Sequence, residues 1–220
     1  MDLNILNEFT EASVEPAVRG FLHTPQQPNG DALVLTHGAG ANCQSKLLTA
    51  AANAFADAGY LVLRCDLPFR QSRPHGPPFP NMAARDREGL RRAVETVRSK
   101  TAGRVFLGGH SYGGRQATIL ATEQPQLPAG LLLLSYPLHP PRKPTELRTA
   151  HFPQLNTPAL FVHGSRDPFG SHEELRNALT LIPAQKLLLE VESAGHDLLG
   201  KKANDDLPLK IVQAFQQFFK

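Results

Sequence analysis

Gly108-Gly109-His110-Ser111-Tyr112-Gly113-Gly114 follows the apolar run Arg104-Val105-Phe106-Leu107 and leads into Arg115-Gln116-Ala117-Thr118-Ile119-Leu120-Ala121. The run before it is too short and too β-branched for a helix, and the run after it reads as one. A strand therefore turns sharply into a helix with a serine at the apex. A turn that tight strains the apical residue and brings the residues two before and two after it so close that a Cβ collides. Gly109 and Gly113 meet that steric requirement. Strain of this kind costs on the order of 1–3 kcal/mol and persists mainly where it has a use. Here it lifts the Ser111 hydroxyl clear of the sheet and sets the Tyr112 N–H at a helix N-terminus, ready to donate to a developing oxyanion. A glycine-rich turn with a capping serine has the same local sequence, so the motif needs partners elsewhere in the chain.

Downstream, three apolar runs read as strands: Gly130 to Tyr136, Thr157 to His163 and Gln185 to Val191, with a helix from His172 to Leu181 before the last. Serine is a poor nucleophile near neutral pH, so Ser111 requires a base, and the base requires a partner that fixes its tautomer. Loops after parallel strands share one edge of the sheet. Asp167 falls just past the second of these runs and His196 just past the third, giving the order Ser, Asp, His. Ser111, Asp167 and His196 are therefore the candidate catalytic residues. His110 is expected to orient the turn, and His37 and His163, at strand ends, to pack beneath the site. Asp66 also follows a strand but precedes the serine, the wrong place for the acid in this order. The segment from Pro137 to Pro153 is proline-rich, with Arg142, Lys143 and Arg148, and is too short for a lid domain; an open, shallow site is expected.

Upstream, Ala32-Leu33-Val34-Leu35-Thr36 has the continuous apolar character of a strand buried on both faces, and it ends in His37-Gly38-Ala39-Gly40-Ala41-Asn42. Acyl transfer needs two N–H donors on the oxyanion and the serine turn supplies one. Ala39 is the expected second donor, with Gly40 the alternative. A helix is read from Ser45 to Ala58, a strand from Tyr60 to Asp66, and a proline-stiffened loop from Leu67 to Pro80 in which Arg70 and Arg73 are candidate contacts for an anionic substrate. Asn81 to Lys100 reads as a helix with an apolar stripe at Leu90, Val94 and Val97. Two strands, Leu3 to Ser13 and Ala17 to Leu22, are expected to form an antiparallel edge. The terminal helix, Leu207 to Lys220, is expected to turn Leu209, Val212, Phe215 and Phe219 to one side.

At 220 residues the chain suits one α/β domain spanning 1–220, with a mostly parallel sheet of seven or eight strands and helices on both faces. Two cysteines, Cys43 and Cys65, make no disulfide framework, and no Cys/His cluster offers a metal site. The first residues lack a basic region and an apolar core, and no run reaches membrane-span length; the cytosol is the expected location, with no membrane partner. A net charge of +3, spread without a basic tract, does not suggest nucleic-acid binding.

Leu-Thr-His-Gly-Ala-Gly-Ala at 35–41, Asp-Leu-Pro-Phe-Arg at 66–70, Gly-His-Ser-Tyr-Gly-Gly-Arg at 109–115 and Ala-Gly-His-Asp at 194–197 together resemble the α/β-hydrolase superfamily over nearly the whole chain. They are similar to its small lidless branch of testis-expressed hydrolase-like and dienelactone-hydrolase-like proteins. The resemblance implies Ser111 as nucleophile, Asp167 as acid, His196 as base, the N–H groups of Ala39 and Tyr112 as the oxyanion hole, and no metal or organic cofactor. Dienelactone hydrolases carry cysteine at this turn, and this chain has Ser111. The expected activity is hydrolysis of small carboxylic esters or thioesters through an acyl-enzyme, the partner being a small acyl substrate. An acyltransferase on the same three residues and a non-catalytic scaffold that binds a protein partner are the alternatives.

Overall fold

The computed structural model describes residues 4–199 and 206–220. Six apolar runs become the mutually parallel strands β3 (Ala32–Thr36), β4 (Leu61–Cys65), β5 (Val105–His110), β6 (Leu131–Leu134), β7 (Ala159–Gly164) and β8 (Lys186–Val191). Every residue of β3, β6 and β7 is buried, as strands covered on both faces must be. The first two strands, β1 (Ile5–Glu11) and β2 (Val18–Thr24), pair antiparallel with each other, and β2 pairs antiparallel with β4. The sheet order is β1-β2-β4-β3-β5-β6-β7-β8. The expected antiparallel edge is therefore present, within narrower bounds than Leu3 to Ser13; Leu3 itself lies outside the described residues.

Side chains alternate across the sheet and build a core on each face. On one face, Leu48 and Phe55 of α1 (Lys46–Asp57) and Ile211 and Phe215 of α6 (Leu207–Phe218) cover Leu33 and Leu35, and the Phe55 and Phe215 rings meet edge-on at 5.0 Å. On the other, α3 (Ala83–Arg98), α4 (Tyr112–Glu123) and α5 (His172–Leu179) cover Val34, Leu107 and Leu133. Leu90, Val94 and Val97, the stripe expected on α3, are all fully buried there. Each such aliphatic or aromatic side chain contributes about 1.5–3 kcal/mol through burial.

The segment 67–80 is not all loop. It contains the single-turn helix α2 (Pro68–Ser72), with Pro68 at the first helical position, where its fixed φ suits a helix start. Phe69 is buried and its N–H donates to Asp86 Oδ1 at 2.9 Å. One turn is too short to show periodicity, and the surrounding prolines and glycine read as loop. The second difference is Leu209, which is 56% exposed, while Leu207, Ile211, Val212 and Phe215 form the buried stripe of α6. At 3.6 residues per turn, position 209 sits about 120° from the middle of that stripe. Between β6 and β7 the chain carries one 3₁₀ turn, Phe152–Gln154. Among the described residues, no helix is long and apolar enough to cross a membrane.

Candidate active site

Because β3 and β5 to β8 run parallel, the segments that follow them emerge on one edge of the sheet. Ser111 follows β5 directly. Its φ is 51° and its ψ −117°, a conformation that L-residues seldom adopt, and its N–H donates to Leu134 O at the end of β6. A Cβ on Gly109 would lie 2.8 Å from Gly113 C and Gly114 N, and one on Gly113 would lie 2.6 Å from His37 O. Both approaches are far closer than carbon tolerates, so the glycines are what let the turn close against β3.

Asp167 sits in the turn after β7, 6% exposed. Its Oδ1 accepts the Phe169 N–H at 2.9 Å, leaving Oδ2 to meet His196 Nδ1 at 2.7 Å. His196 Nε2 in turn lies 2.8 Å from Ser111 Oγ. The two turns are stitched together: Arg166 N–H donates to Ala194 O at 2.9 Å, and Ser193 N–H to Ser165 Oγ at 2.8 Å. The Phe169 ring lies against His196 with centroids 4.3 Å apart, and His110 Nε2 meets His196 O at 2.8 Å. His110 thus steadies the backbone of His196, a different segment from the serine turn it is expected to orient. His163, fully buried, contacts Gly170 O through Nε2 at 2.7 Å and so braces the Asp167 turn from below.

The loop after β3 presses on the serine turn; a Cβ on Gly38 would lie 3.1 Å from His110 Nδ1 and 3.3 Å from Ser111 Cβ. Its peptide planes are pinned. Gly38 O receives His37 Nδ1 at 2.8 Å and the Ala41 N–H at 3.1 Å. Since the N–H of a trans peptide points opposite its carbonyl, this fixes the direction of the Ala39 N–H. His37 Nε2 accepts the Leu67 N–H at 3.1 Å, which requires the proton on Nδ1.

Arg70 has a different place from the expected substrate contact. The residue is 7% exposed, and its guanidinium donates to Ala41 O through Nε at 2.7 Å, to Arg73 O through Nη1 at 2.9 Å, and through Nη2 to Ala39 O at 2.8 Å and Gly76 O at 3.0 Å. With those donors directed at four carbonyls it acts as a clamp between the loops after β3 and β4. Arg73 stacks on the Phe79 ring at 4.2 Å, at a cavity of about 250 Å³ also lined by Phe69, Ser72, Pro78 and Met82. Gly40 is exposed. Cys43 and Cys65 are buried and unpaired, and burial raises both thiols, Cys43 to about 12, which removes nucleophilic character. Asp66 accepts the Cys43 N–H at 2.7 Å. The roles of His37 and Arg70 in fixing the loop were not read from the sequence; both lie in stretches that carry the resemblance, His37 beside Gly38 and Arg70 at the end of Asp-Leu-Pro-Phe-Arg.

Residues 29–218 match the family model described as an alpha/beta hydrolase domain. The chain belongs to the α/β-hydrolase family. The hydrolase is similar in structure to a dienelactone hydrolase from Anabaena variabilis, at 20% identity over 99% of this chain and 98% of that one, with a TM-score of 0.76. It is likewise similar to an alpha-beta serine hydrolase homologue from Coxiella burnetii, at 18% identity over 94% and 96% of the two chains and a TM-score of 0.75. An α/β serine hydrolase without lid from Xanthomonas campestris gives 16% identity over 99% and 95%, with a TM-score of 0.72. The dienelactone-hydrolase-like, lidless character expected from the sequence agrees with these likenesses in fold.

Three histidines of the hydrolase make its stability depend on pH. Burial pushes His23, His110 and His151 down to about 4, and His23 Nε2 accepts from Arg64 Nε at 2.8 Å, so each is neutral when folded and protonates near 6.5 when unfolded. Between those values the unfolded chain binds more protons, so their contribution is complete above pH 6.5 and lost as pH falls toward 4. His110 alone gives a slope of about 1.4 kcal/mol per pH unit, with smaller, solvent-screened additions from the other two. Urea midpoints measured from pH 7 to pH 4.5 are expected to fall steadily; a flat profile contradicts the neutral buried state.

Proposed function

We propose that this protein hydrolyses small carboxylic esters or thioesters through an acyl-enzyme formed on Ser111. The observation that supports this best is the continuous relay from Ser111 Oγ to His196 Nε2 at 2.8 Å and from His196 Nδ1 to Asp167 Oδ2 at 2.7 Å. In the reading we favour, Ser111 Oγ bonds to the carbonyl carbon while His196 Nε2 takes its proton. Asp167 holds the Nδ1–H and stabilises the imidazolium. The oxyanion is received by the N–H groups of Ala39 and Tyr112, the first aimed by the anchored Gly38 carbonyl, the second at the start of α4. Collapse breaks the C–O or C–S bond, and the leaving group takes the proton from His196. Water then repeats the sequence on the acyl-enzyme, releasing the acid and restoring Ser111. The connection between β6 and β7, residues 135–158, carries one 3₁₀ turn and no lid helix, which favours small substrates over long lipids.

A fluorophosphonate tests the nucleophile without knowledge of the substrate, since Ser111 Oγ would displace fluoride at phosphorus. Intact mass is expected to show one adduct on the wild-type protein and labelling slower by about 10³-fold or more in His196→Ala, which lacks the base. A folded wild-type protein that takes no adduct would sink the reading.

A further inference from the structure

Among the described residues, β8 pairs with β7 alone, which leaves its other edge free. Ala159 N–H donates to Gln185 O and Ser165 N–H to Val191 O, each at 3.0 Å, and Ala159 stands opposite Lys186. Leu187, Leu189 and Val191 therefore turn their backbone groups toward β7, and Lys186, Leu188 and Glu190 turn theirs outward. Such a row of free N–H and C=O groups is a template for another strand. Leu187, 41% exposed, adds apolar surface beside it.

The sequence along that edge is Lys186-Leu187-Leu188-Leu189-Glu190, and read backwards it complements itself. In an antiparallel pair centred on Leu188, Lys186 stands opposite Glu190 of a second copy, Leu187 opposite Leu189, and Leu188 opposite Leu188. The residues whose backbone groups point outward then face one another, so each of those pairs exchanges both its N–H···O bonds. Leu187 and Leu189 fall at the closer positions between hydrogen-bonded pairs, where side chains meet. Facing residues lie on one side of the sheet, and both charges are on the α5 side: Glu190 pairs with Arg176 at 2.6 Å, and Lys186 Nζ donates to Ile182 O at 2.8 Å. Leu188 packs in the core that α5 covers and Leu189 in the opposite one.

Lysine on a border strand usually keeps copies apart. Here each Lys186 would be met by a Glu190, and opposite charges in facing positions are favourable. The other border differs: the charged residues of β1, Glu8 and Glu11, are both acidic, so no register joins two copies of β1 through opposite charges. We propose that the β8 edge pairs antiparallel with the β8 edge of a second copy of this chain, giving a two-fold dimer with one continuous sheet. The contact is isologous and closes after two copies.

The test is the oligomeric state and its response to charge. Size exclusion with light scattering is expected to show the wild-type protein passing from monomer to dimer as concentration rises, with amide exchange at Lys186, Leu188 and Glu190 slowing in step. Lys186→Glu makes the facing positions both acidic and Glu190→Lys makes them both basic, and each is expected to raise the dimer dissociation constant about tenfold or more. Mixing the two variants restores opposite charges at every facing pair, so a mixed dimer is expected to form more tightly than either variant with itself. Lys186 is exposed and, among the described residues, makes no ion pair, so Lys186→Glu carries the test if Glu190→Lys, which loses the Arg176 pair, does not fold. A protein still monomeric at about 1 mM, its edge left to water or to an extended segment of another protein, overturns the proposal. So does a dimer that Lys186→Glu leaves unchanged, or a mixture of the two folded variants that forms no mixed dimer.

Discussion

Ser111→Ala is expected to lower turnover by about 10⁶-fold while leaving the fold intact. The substitution removes Oγ, the proposed nucleophile, and retains the Cβ, so the backbone at φ 51° is equally strained in both proteins. Thermal midpoints of the two should differ by no more than about 4 °C, the shift that a change near 1 kcal/mol gives. Ser111→Gly separates strain from chemistry. It is equally inactive, and glycine tolerates positive φ, so it should gain up to about 1–3 kcal/mol of local strain relief, less glycine's larger entropy loss on folding. Ester hydrolysis by purified Ser111→Ala within tenfold of the wild-type rate removes Ser111 from the reaction.

Arg70→Ala carries the second large effect. Ala39 O and Ala41 O both depend on this guanidinium, and Nη2 also reaches Gly76 O across the gap to the next loop. Without it those carbonyls lose their donor and the segment that presents the Ala39 N–H can rotate. The expected loss is that of one oxyanion donor, about 10²–10³-fold in kcat, with KM little changed. Arg70→Lys should restore little, because a single ammonium cannot reach carbonyls spread around a planar fork. A kcat within threefold of wild type would show that the loop holds its shape without the clamp.

Much of the architecture was legible in the sequence because burial on both faces leaves an unmistakable mark. Ala32–Thr36 and Ala159–Gly164 are apolar almost throughout, and each ends at the sheet edge where a functional loop begins. Gly109 and Gly113 betrayed the serine turn for steric reasons, and the positions of Asp167 and His196 past later strands placed them on the same edge. What stayed hidden was decided by three-dimensional neighbours. Arg70 reads as a free cation in a loop, yet α2 turns it inward onto carbonyls that lie about 30 residues earlier in the chain. Leu209 shows the limit of periodicity near a helix start, where a shift of one residue moves a side chain by 100°.

β8 is one of the two border strands of the sheet and its first residues are exposed, and the segment that delivers His196 hangs from it. Strands at a border open locally at a lower free energy than the whole molecule unfolds. Detachment of that border separates the imidazole from Ser111 while β3 to β7 remain packed. In this protein the imidazole is therefore carried by the periphery of the sheet, while Ser111 sits at its centre.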